Sequence, residues 1–225
     1  MAPGFQSRLL IVGASGHAKV VLDAVRAAGT LAVAGLVDRD HSEGETVFGA
    51  PILGNDREIP RIVRAHDVDC VIIAVGDNWT RAQLVQSLSA EMPSISFATI
   101  VHPSTCVAAG VELGEGTVVF AGAVLNAGTR VGRHCIINTN ASVDHDGVLG
   151  DFVTVAPGAT LGGNVTVGEH STIALGANVI HSVSIGRHTI LGAGATAITD
   201  LPDQSVAVGL PARVVRSRLP GEPYL

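Results

Sequence analysis

"VAPGATLGGNVTVGEHSTIALGANV", residues 155–179, repeats itself every six residues. Val155, Leu161, Val167, Ile173 and Val179 each open a hexad. The register runs back to Val107 and on to Leu191 without an insertion, and all fifteen positions hold Val, Leu or Ile. Four residues after each lies a second series, from Val111 to Ala195, in which every member is small or β-branched. One aliphatic and one small residue per hexad describe a flat strand and a tight turn. Three such units close a triangular coil, and coils stack at the ~4.8 Å spacing of paired strands. Fifteen hexads therefore predict five coils around a continuous inward column. "DLPDQSVAVGLPARVVRSRL", residues 200–219, leaves the repeat and is expected to cap the open end.

The residues before the repeat read differently. "RLLIVGASG" is a buried strand entering a glycine-rich turn, and "HAKVVLDAVRAAG" has helical apolar spacing up to a stop at Gly29. "LAVAGLVDRD" and "CVIIAVGDN" are further strands, "DREIPRIVRAH" and "TRAQLVQSLSA" helices, and "ISFATIVHP" a last strand. Alternating apolar strands and helices indicate a parallel sheet covered on both faces. The fold class expected is a Rossmann-like α/β domain over residues 1–100, followed by a parallel β-helix with its cap over residues 101–225.

Composition narrows the function. Apolar residues are 47% of the 225, aromatics only 3%, and the net charge is −6 with no basic block. Disorder and nucleic-acid binding are poor matches. No apolar run approaches the ~20 residues of a membrane span. "MAPGFQSRLLIVGASG" lacks the layout of a signal peptide. Cys70, Cys106 and Cys135 are odd in number and scattered, so a reducing cytoplasm is the expectation.

The histidines sort by position in the coil. His134, His170 and His188 share one slot, with Phe152 between them, and read as structural turn residues. His102, before Pro103, reads as structural too. His145 stands in "SVDHDG" among a column of mostly small residues, flanked by Asp144 and Asp146. An imidazole titrates near neutral pH and suits a general base. A neighbouring carboxylate would fix its tautomer and stabilise the imidazolium. Strand alternation points both aspartates away from the ring, so spacing alone does not choose between them. "GASGH", residues 13–17, ends a strand and opens a helix, a position that favours anions.

"GASGH", "VDRD", "VGDN" and "INTNASVDHD" together resemble the bacterial sugar O- and N-acyltransferases of the sialic-acid and bacillosamine type. The resemblance implies that the β-helix is left-handed, that the N-terminal domain holds a nucleotide-linked sugar and that the β-helix holds acetyl-CoA. It places Gly13, Ser15, Gly16 and His17 at the diphosphate-sugar turn, Asp38 and Arg39 near the base, and Gly76 in the adjoining loop. It makes His145 the catalytic base, Asp146 its support and Asn138 a neighbour of the reacting group. Thr154, Gly163, Leu175 and Ala193 fall along the acetyl-CoA path, and Arg213 of "GLPAR" falls near the CoA phosphates. Many relatives carry a second histidine where this chain has Thr154. Gly163 also has a physical reason, since a glycine lets a thioester approach a backbone N–H that stabilises the oxyanion. His145-Asp146 is similar to the subgroup acting on GDP-perosamine. The activity implied is acetyl-CoA-dependent N-acetylation of a nucleotide-linked 4-amino-4,6-dideoxy sugar in bacterial surface-glycan synthesis, by a metal-free homotrimer. O-acetylation of a sialic acid or related sugar, or a non-catalytic sugar-nucleotide-binding β-helix, are the competing readings.

Overall fold

The computed structural model describes residues 7–222, so the first six and last three residues of the expected domains lie outside the described residues. Arg8–Val12 (β1) is apolar and buried after Arg8, and it is the second strand of a four-stranded parallel sheet. Its neighbours are Ala32–Val37 (β2) on one side and Cys70–Ile73 on the other; Thr46–Val47 and Ala50–Pro51 (β3 and β4) form a small hairpin between them in the chain. With Cys70–Ile73 as β5 and Ser96–Phe97 as β6, the sheet order is β2-β1-β5-β6. Gly16–Ala28 (α1) buries Ala18, Val21, Leu22 and Val25 and stops where Gly29 turns left-handed at φ 64°. Ile59–Ala65 (α2) and Asn78–Glu91 (α3) bury Ile59, Ile62 and Leu88 against Leu10 and Val12, on the opposite sheet face from α1.

The β-helix begins inside the stretch expected to be one strand. "ISFATIVHP" splits: Ser96–Phe97 completes the parallel sheet, whereas Ile100–Val101 pairs with Val118–Val119 as the first rung of the coil. Only Ala98 and Thr99 separate the two pieces, and a hydrophobic run alone does not show that break.

Two-residue rungs then follow at six-residue steps, as the periodicity requires. They stack into three parallel faces. The first contains Ile136–Ile137, Thr154–Val155, Thr172–Ile173 and Ile190–Leu191; the second contains Ser142–Val143 and Thr160–Leu161; the third contains Val148–Leu149 and Thr166–Val167. The coil has six turns rather than five, because Ile100–Val101 precedes the fifteen hexads and Ser205–Val208 extends the first face beyond them. Arg213–Ser217 then folds back antiparallel on Ser205–Val208, so the cap is an edge strand.

Both sequence series point inward. Leu125, Ile137, Val143 and Val155 are fully buried, and so are Ala123, Cys135, Ala141 and Ala159 from the companion series. Val107, 37% exposed, and the partly buried Val111 and Leu113 are the exceptions, since they lie near the open start of the coil. Truncating an inward leucine such as Leu125 to alanine would cost about 2–5 kcal/mol.

The two units share a core. Ile100, Val118, Phe120 and Ile136, pointing outward from the first face, pack with Leu9, Ile11 and α1 in one cluster. That contact seats the carboxyl ends of the parallel strands over the first face, and the candidate sites are arranged around it.

Candidate functional site

His145 sits at the corner between the second and third faces, with its side chain 55% exposed. The backbone departs from strand geometry one residue later: Asp146 is left-handed at φ 57°. That turn brings its carboxylate back, and Nδ1 of His145 lies 2.9 Å from Asp146 Oδ2. Asp144 faces elsewhere, accepting hydrogen bonds from Asn126 Nδ2 at 2.7 Å and from the His145 backbone N–H at 2.8 Å. The hydrogen bond to Asp146 raises the His145 pKa above its ordinary value, and burial opposes it weakly. With Nδ1–H directed at Asp146, Nε2 is left to take a proton.

The ring also rests on the next coil. A Cβ at Gly163 would come 2.4 Å from His145 Nε2, and one at Gly128 would come 2.4 Å from Asp146 Oδ1. The pair is thus seated between two glycines, one on the coil before and one on the coil after. Sequence reasoning assigned Gly163 to thioester approach; the structure adds that the imidazole occupies the space a side chain would need.

The other histidine column differs in every respect. At the corner between the third and first faces, His134, Phe152, His170 and His188 are all left-handed, with φ from 51° to 60°. Their rings stack one coil apart, with centroids 5.1, 4.9 and 4.7 Å apart and interplanar angles of 13° or less. Phe97 closes one end edge-on to His134 at 4.8 Å, and Trp79 leans on His170 and His188. Burial, then the charge of Arg81, pushes the His134 pKa down to about 4. Burial lowers His170 and His188 as well. These rings are neutral packing elements, and a bulky residue at positive φ is held by its stack.

The turn at the end of β1 is shaped by contacts. Gly13 has φ 109°, and a Cβ there would meet the Ala74 carbonyl oxygen at 2.9 Å. Ser15 caps α1 without a side-chain hydrogen bond, so the first-turn N–H groups of α1 have no side-chain partner there, and Gly16 borders open space. Both carboxylate oxygens of Asp38 accept backbone N–H groups, from Ala14 at 2.7 Å and Asp40 at 2.8 Å, so Asp38 braces this turn. Arg39 is exposed and pairs with Asp56 at 3.3 Å, beside a polar recess also lined by Asn55 and Arg57. His17 is half-buried, edge-on to Phe120 at 5.6 Å, with its buried Nε2 unpartnered; desolvation and Arg81 lower its pKa to about 4.

Sequence reasoning missed Arg81, which reads as one of several polar positions in a helix of weak amphipathicity. It is 1% exposed and joins the two units. Nε donates to His134 O, Nη1 to Val75 O and Gly76 O, and Nη2 to Phe152 O and Asn78 Oδ1. Asn78 in turn donates to Ser171 O and Thr172 Oγ1. The loop carrying Gly76 is thereby fastened to three coils. Thr154 belongs to this network: its hydroxyl donates to Asn78 Oδ1 at 2.6 Å. The residue singled out for donor contact thus lies under the N-terminal unit with its hydroxyl engaged.

The remaining candidates are dispersed within one chain. Leu175 and Ala193 are exposed, one coil apart on the corner between the first and second faces, and Asn138 borders the same corner two coils earlier. Gly163 lies on the His145 corner, across the second face. Arg213 opens the edge strand. All three cysteines are free, and no group of three or more His, Cys, Asp or Glu among the described residues is placed to hold a metal ion. No helix among them is long and apolar enough to cross a membrane.

Comparison with known proteins adds the following. A family model described as the PglD N-terminal domain matches residues 8–88. UDP-N-acetylbacillosamine N-acetyltransferase of Bacillus subtilis (strain 168) is 37% identical over 111 residues, 48% of this chain and 49% of that protein, so the chain matches about half the length of this curated relative. A solved structure of a histidine mutant of perosamine N-acetyltransferase from Caulobacter crescentus, in complex with CoA and GDP-perosamine, superposes with a TM-score of 0.88 at 39% identity, over 94% of this chain and 98% of that one. The acetyltransferase domain of PglB from Neisseria gonorrhoeae FA1090, in complex with acetyl coenzyme A, gives 0.86 at 33% identity, over 94% and 100% of the two chains.

Proposed function

The chain belongs to the sugar acyltransferases that join a PglD-type N-terminal domain to a hexapeptide β-helix, and on that premise we propose that it moves the acetyl group of acetyl-CoA to the amine of a nucleotide-linked 4-amino-4,6-dideoxy sugar. The observation that carries the chemistry is the exposed His145–Asp146 pair, Nδ1 to Oδ2 at 2.9 Å, at a coil corner.

The amine nitrogen attacks the thioester carbonyl carbon while His145 Nε2 takes its proton. Asp146 stabilises the imidazolium that forms. The oxyanion is received by backbone N–H at Gly163, beside the imidazole that rests on this residue. On collapse the C–S bond breaks, the amide remains, and the imidazolium returns its proton to the leaving thiolate. A diphosphate at the uncapped start of α1, near Ser15, Gly16 and His17, holds the sugar nucleotide, since free N–H groups and the helix dipole favour an anion there. Arg39 flanks the base. Leu175 and Ala193 line the path of CoA toward Arg213.

One chain separates Leu175 and Ala193 from His145 by a whole face. Packing that face against a neighbour gathers the two corners, and exposed Ile180 and Ile198 near it supply apolar area to cover. The proposed assembly is accordingly a homotrimer, working in the cytoplasm on sugars destined for a surface glycan. Its test is a screen of GDP- and UDP-linked 4-amino sugars for thiol release from acetyl-CoA by the wild type and His145→Ala. The expected outcome is release with one nucleotide series and its loss in the variant. Equal release by both proteins contradicts the assignment.

A further inference from the structure

The loop of residues 74–77 joins β5 to α3 and lies beside the turn after β1, since a Cβ at Gly13 would touch both Ala74 and Val75. Arg81 Nη1 takes two consecutive carbonyls of that loop, Val75 O and Gly76 O, each at 2.9 Å. The peptides that carry these carbonyls are trans, so each holds its N–H on the side opposite its C=O. Gly76 N–H and Asp77 N–H are therefore turned away from the buried guanidinium. Both residues are exposed, and neither N–H has a partner among the described residues. A Cβ at Gly76 would meet nothing within 4 Å, so the packing of the chain itself demands no glycine there. The glycine instead leaves the two N–H groups open to an oxygen from outside.

Arg81 is 1% exposed, and its N–H groups go to neutral oxygens alone. These are the two loop carbonyls, His134 O and Phe152 O on the coil, Asn78 Oδ1 and Thr154 Oγ1. Burial pulls its pKa down to about 10, which leaves it charged at neutral pH, and Asp77 acts on it only through space. A buried cation hydrogen-bonded to no carboxylate is costly, and an apolar residue would pack the two units together without that penalty. What the planar fork adds is a fixed geometry between the coil carbonyls and the loop carbonyls. The stacked rungs set the guanidinium, and the guanidinium sets the loop.

We propose that Arg81 is a positioning residue: by fixing the Val75 and Gly76 carbonyls against the coil, it presents the Gly76 and Asp77 N–H groups as a donor pair for an oxygen of the bound sugar nucleotide. The assignment rests on the reading of the protein as a nucleotide-sugar acyltransferase and adds the part that couples the binding loop to the β-helix. Arg81 acts through the loop and, being buried, does not touch the ligand itself.

Amide NMR of the wild type tests the donor pair, with GDP-mannose and UDP-glucose as probes. The probe that binds is expected to shift the Gly76 and Asp77 amide protons downfield. Binding that leaves both protons unmoved overturns the proposal, and so does binding of neither probe. Arg81→Lys keeps the charge and loses the fork. It is expected to weaken that probe about 10- to 100-fold by calorimetry, the share of two hydrogen bonds to the ligand, and to leave the affinity for CoA unchanged. A merely structural role would loosen both ligands alike or neither, and either result overturns the assignment. Arg81 Nε–H of the wild type gives a reading that needs no variant. A fork that holds the loop keeps this proton protected from exchange in the free protein, and rapid exchange overturns the proposal. Failure of the acetyl-transfer reading appears separately, as absent thiol release beside shifted Gly76 and Asp77 resonances.

Discussion

Two corners of one prism carry histidines, and the corners do opposite things with them. At one, His134, His170 and His188 lie ring on ring with Phe152, capped by Phe97 and Trp79, and their pKa values fall. At the other, His145 stands alone over a glycine with a carboxylate on Nδ1, and its pKa rises. Both columns use the same left-handed turn. The occupants of the neighbouring coils decide the outcome: rings above and below make a packing ladder, whereas small residues, Ala127 on the coil before and Gly163 on the coil after, leave an imidazole presented to solvent.

The sharpest way to break the contrast is to delete one histidine from each corner. His145→Ala is expected to lower kcat about 10²- to 10⁴-fold with unchanged thermal unfolding. His134→Ala should keep turnover and instead lose about 2–4 kcal/mol of stability, through the cavity it leaves in the stack. Steady-state kinetics and denaturant titration of both variants decide it. The opposite assignment of the two losses would sink the distinction.

A subtler change removes only the seat. Gly163→Ala places a methyl where Nε2 now lies and is expected to tilt the imidazole, lowering kcat about 10²-fold, the penalty for roughly 1 Å of misplacement. A KM for the sugar nucleotide that stays constant separates this effect from lost binding.

Removing the carboxylate is expected to cost about 10-fold or more in kcat for Asp146→Asn, because the ring loses its tautomer and its support. It also moves the pH profile. Since the base acts when unprotonated, activity rises with pH through the His145 pKa. Asp146 holds that pKa up, so the rising limb should shift to lower pH in the variant. Asp144→Asn should shift the limb less in the same direction, since Asp144 acts on the ring only through its charge while its oxygens face Asn126 and the backbone.

The smallest effect tests the packed corner together with the half-buried His17 at the start of α1. His17 and His134 have folded-state pKa values lowered to about 4 from 6.5. Their stabilising contribution is complete above the unfolded value and is lost as pH falls toward 4, because only the unfolded chain then binds the protons. Between pH 7.5 and pH 5 each of the two histidines is expected to contribute a loss on the order of 2 kcal/mol, read from denaturant unfolding at the two pH values.

The coil could be read directly from the chain because its period is local: each hexad supplies its own inward residue. What the hexads do not record is where they begin. Ile100–Val101 became a rung although it reads as part of the preceding strand, and this added a coil. The choice between Asp144 and Asp146 was invisible to strand alternation. It was present in a signal not used, the column Gly110, Gly128, Asp146, Asn164 and Ser182, rich in residues that tolerate positive φ. Arg81, Trp79 and Arg218 left no trace at all. Their roles arise only where α3 and the chain end meet the first face, contacts between segments distant in the chain.

One titration addresses both corners together. Following the imidazole C2 protons of all histidines by NMR, in the wild type and in Asp146→Asn, should show His145 titrating above the ordinary 6.5 and dropping in the variant, with His17 and His134 uncharged until about pH 4. A His145 that titrates at or below 6.5, or ignores the loss of Asp146, would contradict the account.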